Sequence, residues 1–170
     1  DNTGAADKGE EPQGALPSPY FLEEPESLLS EVEEKELESS ALSAAKQVQE
    51  VYRYAAIEED APYTYTVRDF SREQRNRVVS MLGEAGYVSV TDGANMENHN
   101  RVRDFYSAYL KGQDSLVTIF DVNLDGLIGA YTFIHRKGNL QTFYVQIGWR
   151  EGGVPEIICT AVSDIAEIKM

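Results

Sequence analysis

The chain has 170 residues and a formal net charge of −14; residues 1–60 alone hold 16 of the 29 acidic residues beside four basic ones. This length leaves room for one domain with a real core, while the acidic balance argues against nucleic acid, whose phosphates call for Lys and Arg, and against an anionic membrane surface. Cys159, the sole cysteine, excludes an internal disulfide and a multi-cysteine metal site, and no apolar run reaches the ~20 residues of a membrane span.

Residues 1–25 are rich in Gly, Pro, Asp and Glu. Such a composition buries too little apolar area to offset its ordering entropy and predicts a flexible acidic tether, followed by a single domain over residues 26–170. The chain opens on Asp1, not Met, and so reads as a mature or trimmed product whose targeting segment has been removed. Residues 26–58 read as helix. Ala41, Ala44, Ala45, Val48, Val51, Tyr52 and Ala55 form one apolar stripe at spacings of three and four. Ser39 or Ser40 is placed to cap it and to split off a weaker segment at 26–37. The acidic run from Glu31 to Glu38 reads as a solvated face.

The YTYTV stretch at 63–67 predicts a short strand. Ser71 with Gln74 makes a capping box for a second helix, with Val78, Val79, Met81 and Leu82 inward and Gly83 and Gly86 ending it. Residues 87–90 are a short extended piece. Asn98 or Asn100 opens a third helix with Val102, Phe105, Tyr106, Tyr109 and Leu110 inward, closed by Gly112. From Asp114 the period changes to two, over 115–122, 127–136, 140–149 and 156–162, with an extended tail to Met170. The short connectors imply an antiparallel meander. Phe143, Val145, Ile147 and Trp149 make one face apolar, which needs a covering layer. The expected fold is therefore α+β, with N-terminal helices packed on one face of a curved four- to five-stranded antiparallel meander. That layout is similar to cystatin-like and nuclear-transport-factor-like folds, a likeness of architecture only.

The stretch DVNLDG at 121–126 places Asp121, Asn123, Asp125 and Gly126 where a calcium loop has its first, third and fifth ligands and its glycine. Its twelfth position, however, is Thr132 and carries no carboxylate, and strands flank it where helices should. Asp-Gly between alternating apolar runs predicts a hairpin turn instead. His99 and His135 lack metal-ligand spacing and read as surface or capping residues. Cys159 lies in an apolar strand and reads as a small buried hydrophobe. Nucleophile elbows and phosphate loops are missing, so no catalytic residue and no cofactor is expected. A glycosidase-style carboxylate pair, assembled only in space, stays open. Aromatics crowd the strands. Tyr131, Tyr144 and Trp149 are the candidates for a groove that takes sugar or peptide, against the plainer reading of core packing.

Three stretches, FSREQRNRVVSMLGEAGYVSV, MENHNRVRDFY and VTIFDVNLDGLIGAYTFIHRKGNLQTFYVQIGW, occur in this order between Phe70 and Trp149, within a likeness that spans roughly residues 68–162. The pattern resembles a family of cell-surface lipoproteins of gut Firmicutes, a domain of unknown function. The resemblance implies export, an N-terminal lipid anchor ahead of the acidic tether, and attachment to the outer side of the cell membrane. It implies no catalytic residue. The functional expectation is a non-catalytic extracellular module that binds a small molecule, glycan or protein. The alternative is a small hydrolase- or isomerase-like enzyme with a pocket between helices and sheet, where Tyr, Asp and His converge. A structural spacer is the third reading.

Overall fold

The computed structural model describes residues 24–61 and 64–169, with the side chains of 59–65 excepted. Most of the expected tether, residues 1–23, lies outside the described residues. Helix α1 (Glu31–Gln47) begins at Ser30, which accepts from the Glu33 N–H while Glu33 accepts from the Ser30 N–H. This is the same Ser-x-x-acid/amide signature that starts α3. It corrects the expected cap at Ser39 or Ser40, both of which sit exposed within the helix. The alanine stripe is buried as expected. It runs on through Val48 and the single-turn α2 (Gln49–Tyr52), which buries Val51 and Tyr52.

Strands β1 (Ala56–Ala61) and β2 (Thr64–Arg68) form a separate two-stranded antiparallel sheet, which corrects the helix expected over residues 26–58: helix runs only from Glu31 to Tyr52, and the chain is strand from Ala56. Helix α3 (Arg72–Glu84) carries the reciprocal Ser71–Gln74 cap and buries Val78, Val79 and Leu82. Gly83 lies in its last turn, and the helix stops only before Gly86, whose φ of +95° a side chain would resist.

The main sheet corrects the expected fold. Strands β3 (Val88–Thr91), β4 (Ala94–Glu97), β5 (Ser115–Val122), β6 (Ile128–Arg136), β7 (Asn139–Arg150) and β8 (Val154–Asp164) form six strands in the order β4-β3-β5-β6-β7-β8. β5 to β8 are the predicted antiparallel meander, but β3 pairs with β5 in parallel, Val88 opposite Ile119. The sheet is thus mixed, and the four- to five-stranded meander with its cystatin-like or nuclear-transport-factor-like layout does not describe it. A parallel pair needs a long crossover. Here the crossover contains β4 and helix α4 (Asn100–Leu110).

That crossover also places helices on both faces. Phe120, Val122, Ile128, Ala130, Ile134, Phe143, Val145 and Ile147 join α1, α2 and α3 in the larger core. The opposite face presents Val88, Val117, Ile119, Phe133 and Leu140 to Phe105 and Val102 of α4, and to Ile165 and Ile168 of the C-terminal tail. Leu110, expected inward, is exposed at the end of α4. Neither asparagine caps this helix with its side chain: Asn98 instead donates to the carbonyls of Gly83 (2.9 Å) and Tyr87 (2.7 Å), tying the start of α4 to the end of α3.

Candidate functional site

Register sorts the three candidate aromatics onto two faces. Trp149 is wholly buried on the α1–α3 side and stacks on Tyr52 at 3.7 Å between ring centroids; Phe70 stacks on the far side of Tyr52 at 4.7 Å. The Trp149 Nε1–H and the Tyr52 hydroxyl both donate to the Gly126 carbonyl, at 3.2 and 2.7 Å. Burial pushes the Tyr52 phenol above its ordinary range. Trp149 is therefore a core residue, leaving two of the three aromatics for a ligand.

Tyr131 and Tyr144 lie directly across β6 and β7 from each other on the opposite face, half-buried, with ring centroids 4.8 Å apart and planes 37° apart. They lean over Gly129. A Cβ there would come within 2.9 Å of Tyr144 Cε2 and 3.0 Å of Tyr131 Cε2, so only glycine lets both rings rest on the sheet. The row beside them runs across four strands as Asp121, Gly129, Gln146 and Cys159. Successive residues on one face stand about 7 Å apart along a strand, so the two rows are neighbours. Burial pushes the Tyr144 phenol up to about 12, and Tyr131, Cys159 and Asp125 nearby add to the shift. The arrangement is an aromatic pair flanked by an amide and a carboxylate on the part of the sheet that α4 and the tail leave open.

At the rim of this face is an open hollow of about 430 Å³, lined by Asp92, Gly93, Asp121, Asn123, Leu124 and Asp125 among others. Burial, then the charge of Asp92, raises the Asp121 carboxyl above its usual value. DVNLDG is the predicted turn: Asn123 N–H donates to the Leu127 carbonyl and Gly126 N–H to the Asn123 carbonyl, with Gly126 at φ +83°. The Asp125 carboxylate is occupied locally, accepting the Leu127 N–H at 3.0 Å. No group of three or more His, Cys, Asp or Glu side chains among the described residues could hold a metal ion.

Cys159 corrects its expected burial. It is exposed on β8, and its thiol, raised by partial burial, donates to Gln146 Oε1 at 3.5 Å. His99 is a surface residue that accepts from Arg103 at 2.8 Å. His135, expected at the surface or as a cap, is buried; its Nδ1–H donates to the Gln113 carbonyl at 2.7 Å and its ring meets Tyr109 edge-on. Neither the groove beside α1 nor the hollow at Asp92 and Asp125 brings Tyr, Asp and His side chains together. One feature that sequence reasoning passed over is the Glu33–Arg136 pair (2.6 and 2.9 Å), which ties the start of α1 to the end of β6. The two residues are 103 apart in the chain, so no local pattern announces them.

A family model described as "Family of unknown function (DUF6070)" matches residues 34–169. No curated protein and no solved structure matches the chain.

Proposed function

The chain belongs to this family of unknown function, and from that premise we propose that it is a non-catalytic binding module that takes a glycan on the open half of its sheet. The observation that carries the reading is the Tyr131–Tyr144 pair resting over Gly129 beside Asp121 and Gln146. A sugar ring presents an apolar C–H face and a rim of hydroxyls. Tyrosine offers the matching apolar body with a polar tip, and carboxylate and amide oxygens accept hydroxyl hydrogen bonds. Both tyrosines stand on central strands of the sheet, whose rigidity limits the entropy lost on binding.

The finer likeness, to surface lipoproteins of gut Firmicutes, enters the same proposal: the module stands outside the cell on an N-terminal lipid anchor. Its support is the order of the motifs and the acidic, Gly- and Pro-rich composition of residues 1–25. Protease treatment of intact cells expressing the natural gene would remove such a protein; full protection would count against the location.

The test of the binding reading is a screen of the purified chain against a panel of soluble oligosaccharides, with calorimetry on any hit. Tyr131→Ala and Tyr144→Ala should each weaken a true ligand at least roughly tenfold, in keeping with aromatic anchors at binding sites, while leaving the melting temperature nearly unchanged. A panel without hits, or a hit that ignores both substitutions, overturns the reading.

A further inference from the structure

β8 ends the order of the main sheet, and among the described residues its outer main-chain groups have no ladder partner. Such an edge is a template for another strand, and proteins ordinarily blunt it with charges, proline or bulges. β8 has those devices toward its two ends: Pro155, Glu156 paired with Arg150, and a bulge at Ile158, where the register with β7 shifts, in its first half, and Asp164 as its last residue. From Cys159 to Ser163 the register is regular and no residue is charged.

Beside this undefended stretch runs an open groove of about 760 Å³ between α1 and the sheet. Its floor is Phe143 of β7 and Thr160 of β8, and its wall includes Glu31, Glu34 and Glu38, spaced three and four apart on one side of α1. The one cation in the lining, Lys35, is paired with Glu38 at 3.3 Å. We propose that this edge and groove receive an extended basic segment of a partner protein, which adds a strand to β8 and lays Lys or Arg side chains against the α1 carboxylates.

The spacing fits. Glu34 and Glu38 are about 6 Å apart along the helix axis, and side chains on one face of a strand recur about every 6.8 Å. Main-chain hydrogen bonds supply strand addition generally, and the alternate side chains supply selection. A second copy of this chain is the disfavoured occupant. Each chain carries −14, and pairing β8 with β8 brings two acidic α1 walls together, a like-charge arrangement that suppresses association.

The experiment uses the full chain and two labelled peptides, Lys-Val-Lys-Val-Lys-Val and Glu-Val-Glu-Val-Glu-Val, followed by fluorescence anisotropy and by hydrogen exchange. The basic peptide should bind, weaken as salt rises from about 50 to about 500 mM, and slow amide exchange within residues 159–163. The acidic peptide should not bind. The double change Glu34→Lys with Glu38→Lys should cut affinity roughly tenfold; the milder Glu34→Gln with Glu38→Gln should cut it less, and guards against a folding defect. The proposal fails if the basic peptide does not bind, if both peptides bind alike, if binding leaves residues 159–163 unprotected, or if sedimentation shows the edge closed by a homodimer.

Discussion

Replacing Tyr52 with Phe tests how the DVNLDG turn is held to the core. The Gly126 carbonyl has two lone pairs, and two buried side-chain donors use them, the Tyr52 hydroxyl at 2.7 Å and the Trp149 indole at 3.2 Å. Tyr52→Phe removes one donor but leaves the carbonyl satisfied. The expected cost is that of one net hydrogen bond, about 1 kcal/mol, or a fall of roughly 2–4 °C in melting temperature for a chain of this size. Trp149→Phe removes the other donor and shrinks a fully buried ring, at a cost of roughly 2–3 kcal/mol. With both changed, the carbonyl is buried without a partner, an added penalty of about 1–3 kcal/mol. The double variant should therefore lose at least about 1 kcal/mol more than the sum of the singles, well outside the usual scatter of independent sites. Urea unfolding followed by far-UV circular dichroism is the assay, because Trp149 is the only tryptophan. Additivity within about 0.5 kcal/mol would refute the shared carbonyl as the coupling element.

Three further outcomes follow from the same structure. Hydrogen bonding from Arg136 holds the Glu33 carboxyl down at about 2 against an ordinary 4.5; a depressed carboxylate stabilises the fold above its unfolded pKa and ceases to as pH falls through the folded one, so Glu33→Gln should flatten the stability change between pH 4.5 and about 2 in acid titrations. Gly129→Ala should displace both tyrosine rings and abolish ligand capture, while costing under about 1 kcal/mol of stability because the rings can swing toward solvent; an unchanged affinity would remove Gly129 from the site. Thermal melts in EDTA and in ~1 mM calcium should agree within about 1 °C, where a site of ~10 μM affinity would add about 2.7 kcal/mol; Asp125→Ala should cost about 1 kcal/mol in both solutions through loss of its bond to Leu127.

Elements whose cause lies within a few residues were legible from sequence. The Ser71–Gln74 box, the Asn123–Gly126 turn and the alternation along β5 to β8 are each set by neighbours close in the chain or by one hairpin, and the structure places them where the pattern does. The Ser30–Glu33 box has the same spacing but is not read from the sequence, where the cap is sought next to the alanine stripe that begins later. The candidate site was legible in part, since Tyr131 and Tyr144 fall opposite each other once the β6–β7 turn is fixed.

The composition and the short-range patterns of this chain by themselves determined the cores of the three main helices, the Ser71 cap of α3, and that β5 to β8 run as hairpins, but not that β1 and β4 are strands. Only the tertiary structure decided that β3 joins them in parallel, that Trp149 stacks inside on Tyr52 while Cys159 faces out, and that β8 is left as an edge. A strand's alternation says that its two faces differ, but both faces here carry aromatics, and which is covered depends on where a crossover lands its helix. Landing α4 over Val117, Ile119 and Phe133 is a choice among packings of residues distant in the chain, made by the area the whole fold can bury.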